Sequence, residues 1–167
     1  MPRAGDRLHG AAMNNCDPLK LVIVDDSEHV HDALIREIAK LEHIHLAGQA
    51  FDVPQALARI RETAADLVIL DMNMPGGNGI DVLKAFSVQA AAPVCIVFSF
   101  HLTGIVKDCC LRLGARTCLR KPEDVETLVS ALAAIRRSDL AALRAGTLLF
   151  ENLGSVISDA PETPEEK

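Results

Sequence analysis

The chain has 167 residues, 49% of them hydrophobic and 24% charged, with a formal net charge of -6. That supplies one packed domain plus tails, and the acidic balance argues against a general nucleic-acid or anionic-membrane surface. Five phenylalanines are the only aromatics, so stacking on bases is poorly supplied; no apolar run is long enough to span a bilayer and the N-terminus lacks a secretory core.

Met1 to Pro18 mix Arg, Gly, Asn and Asp without period, which reads as a flexible N-terminal arm over residues 1-18, with Met13 as an alternative start. Leu21-Val22-Ile23-Val24 is an apolar run bounded by acids, the pattern of a buried parallel strand. Ser27 then offers an N-cap, and Val30, Leu34, Ile38 and Leu41 recur at helical spacing. A weaker strand over about Ile44 to Gly48 leads to Asp52, a cap for a helix carrying Val53, Leu57 and Ile60. Leu67 to Leu70 is the third strand, followed by a Gly-rich turn and a short helix marked by Ile80, Leu83 and Phe86.

Val94 to Phe98 reads as the fourth strand, and Ile105, Val106, Cys109 and Leu113 stripe the next helix. Thr117 to Leu119 is a short fifth strand bracketed by Gly114 and Pro122. Val125, Leu128, Val129, Leu132 and Ile135 then give the cleanest amphipathic helix, with Pro122 at its entrance. Strands alternating with helices imply an α/β fold: a doubly wound, five-stranded parallel sheet with helices on both faces. The domain is expected over residues 19-137. Residues 138-167 form an extension in which Leu140, Leu143 and Leu148 add helix and Ala160 to Lys167 is disordered.

The cysteines are Cys16, Cys95, Cys109, Cys110 and Cys118. Their odd number and the lack of a C-x-x-C pair suit a reduced, cytoplasmic protein rather than a disulfide framework. Cys109-Cys110 reads as one core and one boundary thiol. The six histidines are expected on the solvated surface, because none has a partner at metal-ligand spacing, and Arg136-Arg137 reads as solvated charge.

Every polar signal falls just past a strand: Asp25-Asp26 after the first, Asp71 after the third, Ser99 after the fourth and Lys121 after the fifth. In open parallel sheets the working site lies beyond the carboxyl ends of the strands. Three carboxylates meeting there repel unless a cation holds them together. A carboxylate can attack phosphorus to give an acyl phosphate, a reaction that needs charge neutralisation and positioning above all. Mg2+, with Mn2+ as a substitute, suits a site of hard oxygen ligands. A lysine pairs with a phosphoryl oxygen as a point charge.

With these residues in place, the chain closely resembles the receiver domain of two-component response regulators, whose fold is flavodoxin-like. The matching stretches are Leu21 to Ser27, Leu67 to Gly79, Val97 to Ser99 and Leu119 to Pro122. The resemblance implies that Asp71 is the phosphoacceptor, that Asp26 ligates the metal directly, that Asp25 holds it through water, and that Asn73 lends its backbone carbonyl. It implies that Lys121 pairs with the phosphoryl group, that Ser99 is the switch hydroxyl, and that Pro75 and Gly79 shape the loop after Asp71. The implied partners are a sensor histidine kinase or phosphotransfer protein as donor and an unknown downstream protein target. Neither membrane nor direct nucleic-acid contact is expected, and a homodimer is left open. Such a receiver is regulatory and not an enzyme, beyond catalysing its own phosphorylation and dephosphorylation.

Two positions depart from the common pattern. Cys118 stands three residues before the lysine, where receivers usually carry Tyr or Phe, and Phe100 follows the switch hydroxyl, where a small residue is usual. Phe100, or a shift of the fourth helix, is therefore expected to take part of the switching role, and Phe100 to shield the acyl phosphate from water. A rival reading is the receiver part of a DNA-binding transcription regulator without its output domain. Another is an aspartyl-phosphate phosphatase of the haloacid-dehalogenase type, but its Asp-x-Asp would need a second Asp where Ser27 stands.

Overall fold

The structure is a computed structural model that describes residues 17–153. The expectations for the N-terminal arm up to residue 16, with Cys16, and for Ala160 to Lys167 lie outside the described residues. Five strands alternate with helices: β1 (Leu19–Val24), α1 (Glu28–Ile38), β2 (Ile44–Ala50), α2 (Val53–Thr63), β3 (Leu67–Leu70), α3 (Gly79–Phe86), β4 (Val94–Ser99), α4 (Gly104–Arg112), β5 (Ala115–Arg120) and α5 (Val125–Ala134). All five strands are parallel, in the spatial order β2-β1-β3-β4-β5. That is the flavodoxin-like winding, in which the sheet is covered on both faces.

Strand alternation divides the apolar residues into two layers. Leu21, Ile23, Ile69 and Ile96 face Leu34 and Ile38 of α1 and Leu128 and Leu132 of α5. Val22, Val24, Val68, Leu70 and Val97 face Ala56 and Ile60 of α2, Val82 and Phe86 of α3, and Cys110 of α4. Full burial of each aliphatic side chain contributes about 1.5–3 kcal/mol, so β1 and β3, buried along almost their whole length, anchor the fold.

The register brings the strand ends level. Val24 pairs with Leu70, and Leu70 with Val97. Asp25 and Asp71 follow directly, so they emerge side by side; Ser99 pairs with Arg120, which puts Lys121 at the same edge.

Several local expectations need correction. β2 runs two residues past Gly48, because Gln49 and Ala50 continue the ladder with Ile23 and Val24 after an irregularity between Leu21 and Val22. β5 spans six residues, since Ala115 and Arg120 also find partners on β4. In α4 the buried residue is Cys110, whereas Ile105 is 84% exposed and Cys109 only half-buried. Arg137 is not solvated charge: its guanidinium donates to Asp66 at 3.1 Å and to the carbonyl of Pro18 at 3.0 Å. The Asp66 carboxylate also accepts the backbone N–H of Lys20 at 2.9 Å. Arg136 is exposed, as expected, and donates to the nearby carbonyls of Ala133 and Ile135.

Beyond α5, a short helix α6 (Leu140–Ala145) and a 3-10 turn (Phe150–Asn152) return to the sheet. Leu140, Leu143 and Phe150 join the layer formed by α1 and α5. Thr117 of β5 donates its hydroxyl to Glu151 at 2.8 Å, so this segment is fastened by a polar contact as well as by burial.

Candidate functional site

Asp25 is buried and its backbone is pinned from β2: its N–H donates to the carbonyl of Ala50 at 3.0 Å. Its Oδ1 accepts the Ser27 N–H at 2.9 Å and its Oδ2 accepts the Lys121 ammonium. Ser27 is the N-cap residue of α1 without a side-chain cap bond; its own N–H, one of the free donors at the helix start, is taken up by the Asp25 carboxylate two residues earlier. Asp71 is also buried, with its N–H on the Val24 carbonyl at 2.8 Å and its Oδ1 accepting the Met72 N–H at 2.8 Å. Lys121 Nζ lies 3.6 Å from that same Oδ1. Asp26 is exposed, and one carboxylate oxygen from each of Asp25, Asp26 and Asp71 lies within 4.8 Å of the others.

Lys121 reaches this cluster from the turn after β5, with its side chain almost fully buried. Its ammonium stands 5.6 Å from the Phe98 ring centroid and 5.4 Å from that of Phe100, a favourable cation–π placement over each ring. One ammonium among three carboxylates leaves the cluster anionic. A site of oxygen donors with surplus negative charge fits a hard divalent cation.

Ser99 closes β4. Its backbone carbonyl accepts the Lys121 N–H at 3.2 Å, while its Oγ is buried and has no hydrogen-bond partner among the described residues. An orphaned buried hydroxyl is rare enough to call for a role, and donating to an incoming oxygen is one. Asn73 is exposed and pairs with Asn78 in a two-residue antiparallel ladder around Pro75 and Gly76. Gly76 adopts φ +78°, a left-handed conformation that glycine reaches without strain. Asn78 caps α3 by accepting the Ile80 N–H at 2.8 Å.

The two departures from the common receiver pattern lie apart. Phe100 is 60% exposed and leans over Lys121. Cys118 points into the protein, with Sγ 4.0 Å from the Lys107 carbonyl on α4 and Cys110 beside it. Burial pushes the Cys118 thiol up to about 12, and the neighbouring Cys110 adds to this. It is thus an inert packing group and not a thiolate. Burial has the same effect on Cys95, also pushed up to about 12.

His31 was not visible as a site residue and is not a solvated histidine. It is buried in α1, its Nε2 lies 2.8 Å from the Asp25 carbonyl, and its ring stacks on Phe51 at 4.4 Å. Only its three-dimensional proximity to β1 distinguishes it from an ordinary helical polar residue. His43 is half-buried against the Leu132 carbonyl at 3.0 Å, whereas His29, His45 and His101 are exposed.

This sheet, with acids, hydroxyl and lysine gathered at the carboxyl edge, defines a class. The response regulator receiver domain family matches residues 21–133, and the chain belongs to that family. A protein-glutamate methylesterase/protein-glutamine glutaminase from Myxococcus xanthus is 32% identical over 116 residues, covering 69% of this chain and 33% of the relative. The transcriptional regulatory protein MalR of Bacillus subtilis is 33% identical over 119 residues, covering 71% of this chain and 51% of MalR. The chain therefore spans about a third of the length of the methylesterases it matches. Among solved structures, the CheX-CheY-BeF3-Mg complex of Borrelia burgdorferi aligns with TM-score 0.62 and 26% identity, covering 70% of this chain and 90% of that one. The response regulator domain of Thermotoga maritima CheB aligns with TM-score 0.63 at 22% identity, covering 77% of this chain and 97% of that one. Residues 21–133 are thus a response regulator receiver domain of the two-component type. Among the described residues no helix is long and apolar enough to cross a membrane.

Proposed function

We propose that Asp71 accepts a phosphoryl group from a phosphohistidine on a sensor kinase or phosphotransfer protein. The carrying observation is the convergence of one carboxylate oxygen from each of Asp25, Asp26 and Asp71 within 4.8 Å, with the Lys121 ammonium against Asp25 and Asp71. Asp26 and Asp71 would hold Mg2+, or Mn2+ in its place, with Asp25 contributing through water and Asn73 through its backbone carbonyl. The ion, when bound, supplies neutralisation of the charge that builds up around phosphorus. Asp71 presents its free Oδ2 as nucleophile, because Oδ1 is occupied by the Met72 N–H. Lys121 then pairs with a phosphoryl oxygen, and the orphaned Ser99 hydroxyl donates to another.

Movement of Ser99 toward the phosphoryl group would carry Phe100 with it and change the surface next to α4, so that affinity for a downstream protein shifts. Cys118, packed against α4, would sense that shift by repacking and not by ring burial. The receiver would occupy residues 19-137, with 138-167 as an extension, and would act in the cytoplasm without catalysing anything beyond its own phosphorylation and dephosphorylation. The likeness to MalR supports one further reading, a receiver portion of a DNA-binding regulator. Mobility-shift assays with and without phosphodonor separate the two.

Incubation with a small acyl-phosphate donor and Mg2+ should add the mass of one phosphoryl group to the parent protein and none to Asp71→Asn. Equal modification of both proteins would sink the assignment. Phe100→Ala should still be phosphorylated but lose the group faster, since the ring that shields Lys121 and the acceptor is gone. Decay followed by intact mass would refute this shielding role if both proteins lost the group at the same rate.

A further inference from the structure

We propose that His31 is a positioning residue for the cation site: its ring fixes the turn that carries Asp25 and Asp26 opposite Asp71. The inference rests on the functional reading above and adds a residue to it.

The Asp25 main chain is held at both ends. Its N–H is on the Ala50 carbonyl at 3.0 Å, and its own carbonyl faces His31 Nε2 at 2.8 Å. A carbonyl only accepts, so Nε2 carries the hydrogen and donates. His31 belongs to α1, and its backbone N–H returns to the Ser27 carbonyl at 3.2 Å. The side chain therefore bridges helix to strand end and closes the loop formed by residues 25 to 31. Phe51, just past β2, stacks on the ring with centroids 4.4 Å apart and planes 28° from parallel. That contact leaves the imidazole little freedom to swing off the carbonyl.

The other ring nitrogen makes this placement informative. His31 Nδ1 is buried without a hydrogen-bond partner among the described residues. A leucine would fill the same helical position with no polar atom left over. It could not, however, donate to the Asp25 carbonyl, and the carboxylates of Asp25 and Asp26 would lose the brace that sets their angle. Ligands of a metal are ordinarily oriented by such outer partners. His31 acts here through the main chain of Asp25 and touches neither the phosphoryl group nor the ion.

The test is titration of the full chain with Mg2+ alone by calorimetry, beside urea unfolding in EDTA. His31→Leu should weaken Mg2+ binding about tenfold or more while its unfolding midpoint in EDTA stays near that of the parent. His31→Gln, which keeps a donor at similar reach, should recover most of the affinity. If His31→Leu fails to fold, Phe51→Ala carries the test; that ring is half-exposed, and its removal should weaken Mg2+ binding about threefold by the same loss of ligand orientation. Parent-like affinity in His31→Leu, or in Phe51→Ala where that variant stands in, overturns the proposal, as does a His31→Gln no better than His31→Leu. If Mg2+ binding by the parent is unaffected by Asp26→Asn, it is the reading of the acidic cluster that fails.

Discussion

Replacing Lys121 with methionine is expected to lower stability in EDTA by about 3 kcal/mol, the cost of stripping a buried ion pair of one partner. Methionine keeps an apolar stem of similar length in the buried position and removes the ammonium that stands near the Phe98 and Phe100 rings. What remains is Asp25 and Asp71, 3% and 6% exposed, close together and with no other cation within 4.0 Å among the described residues. Like charges at that separation destabilise each other most where water is excluded. Mg2+ should bind the more anionic cluster of Lys121→Met more tightly than that of the parent, so the deficit should shrink when unfolding is repeated in millimolar Mg2+. Parent-like stability in EDTA would mean that the ammonium does not offset the carboxylates. A deficit that Mg2+ leaves untouched would mean that the loss is one of packing alone.

The same geometry explains which parts of this protein were readable from its sequence. β1 and β3 are apolar at consecutive positions because both faces of the sheet are covered, and such runs have few other uses. The acids that follow them occur at matching chain positions, and the parallel register converts matching position into spatial proximity. α4 was misread because its apolar residues do not single out one face: Ile105 and Cys109 suggest one stripe, while Val106, Cys110 and Leu113 form the packed one. The choice between them is made by partners remote in sequence, such as Met72, whose Sδ lies 3.6 Å from Cys110 Sγ. His31 was hidden for a related reason. A buried polar side chain is identified by the carbonyl that accepts from it, and that carbonyl belongs to Asp25, just past the end of β1, not to the helix period. Arg137 shows the complementary failure, since a charge beside another charge looks solvated until Asp66 and the Pro18 carbonyl are seen to receive it.

Gly79→Ala is expected to cost about 2 kcal/mol by overpacking and to slow phosphorylation at least about tenfold through misplacement of Asp71, the proposed acceptor. An added Cβ would lie 2.7 Å from the Asp71 carbonyl oxygen and 3.2 Å from Met72 Cα. Both are main-chain atoms, so no side-chain rotation relieves the clash. Separation would stretch the Gly79 N–H to Met72 carbonyl bond of 3.0 Å, which seats α3 on the loop after Asp71. Alanine is the better helix former by about 1 kcal/mol, so propensity pulls the other way and the clash must win for the protein to lose stability. Gly104→Ala separates the two effects. Gly104 is the first residue of α4, and a Cβ there meets nothing within 4 Å, so stability should stay within about 0.5 kcal/mol of the parent or rise. Urea unfolding of both variants beside acyl-phosphate labelling decides the matter. If Gly79→Ala matches Gly104→Ala in both, the close approach of α3 does not hold Asp71 in place.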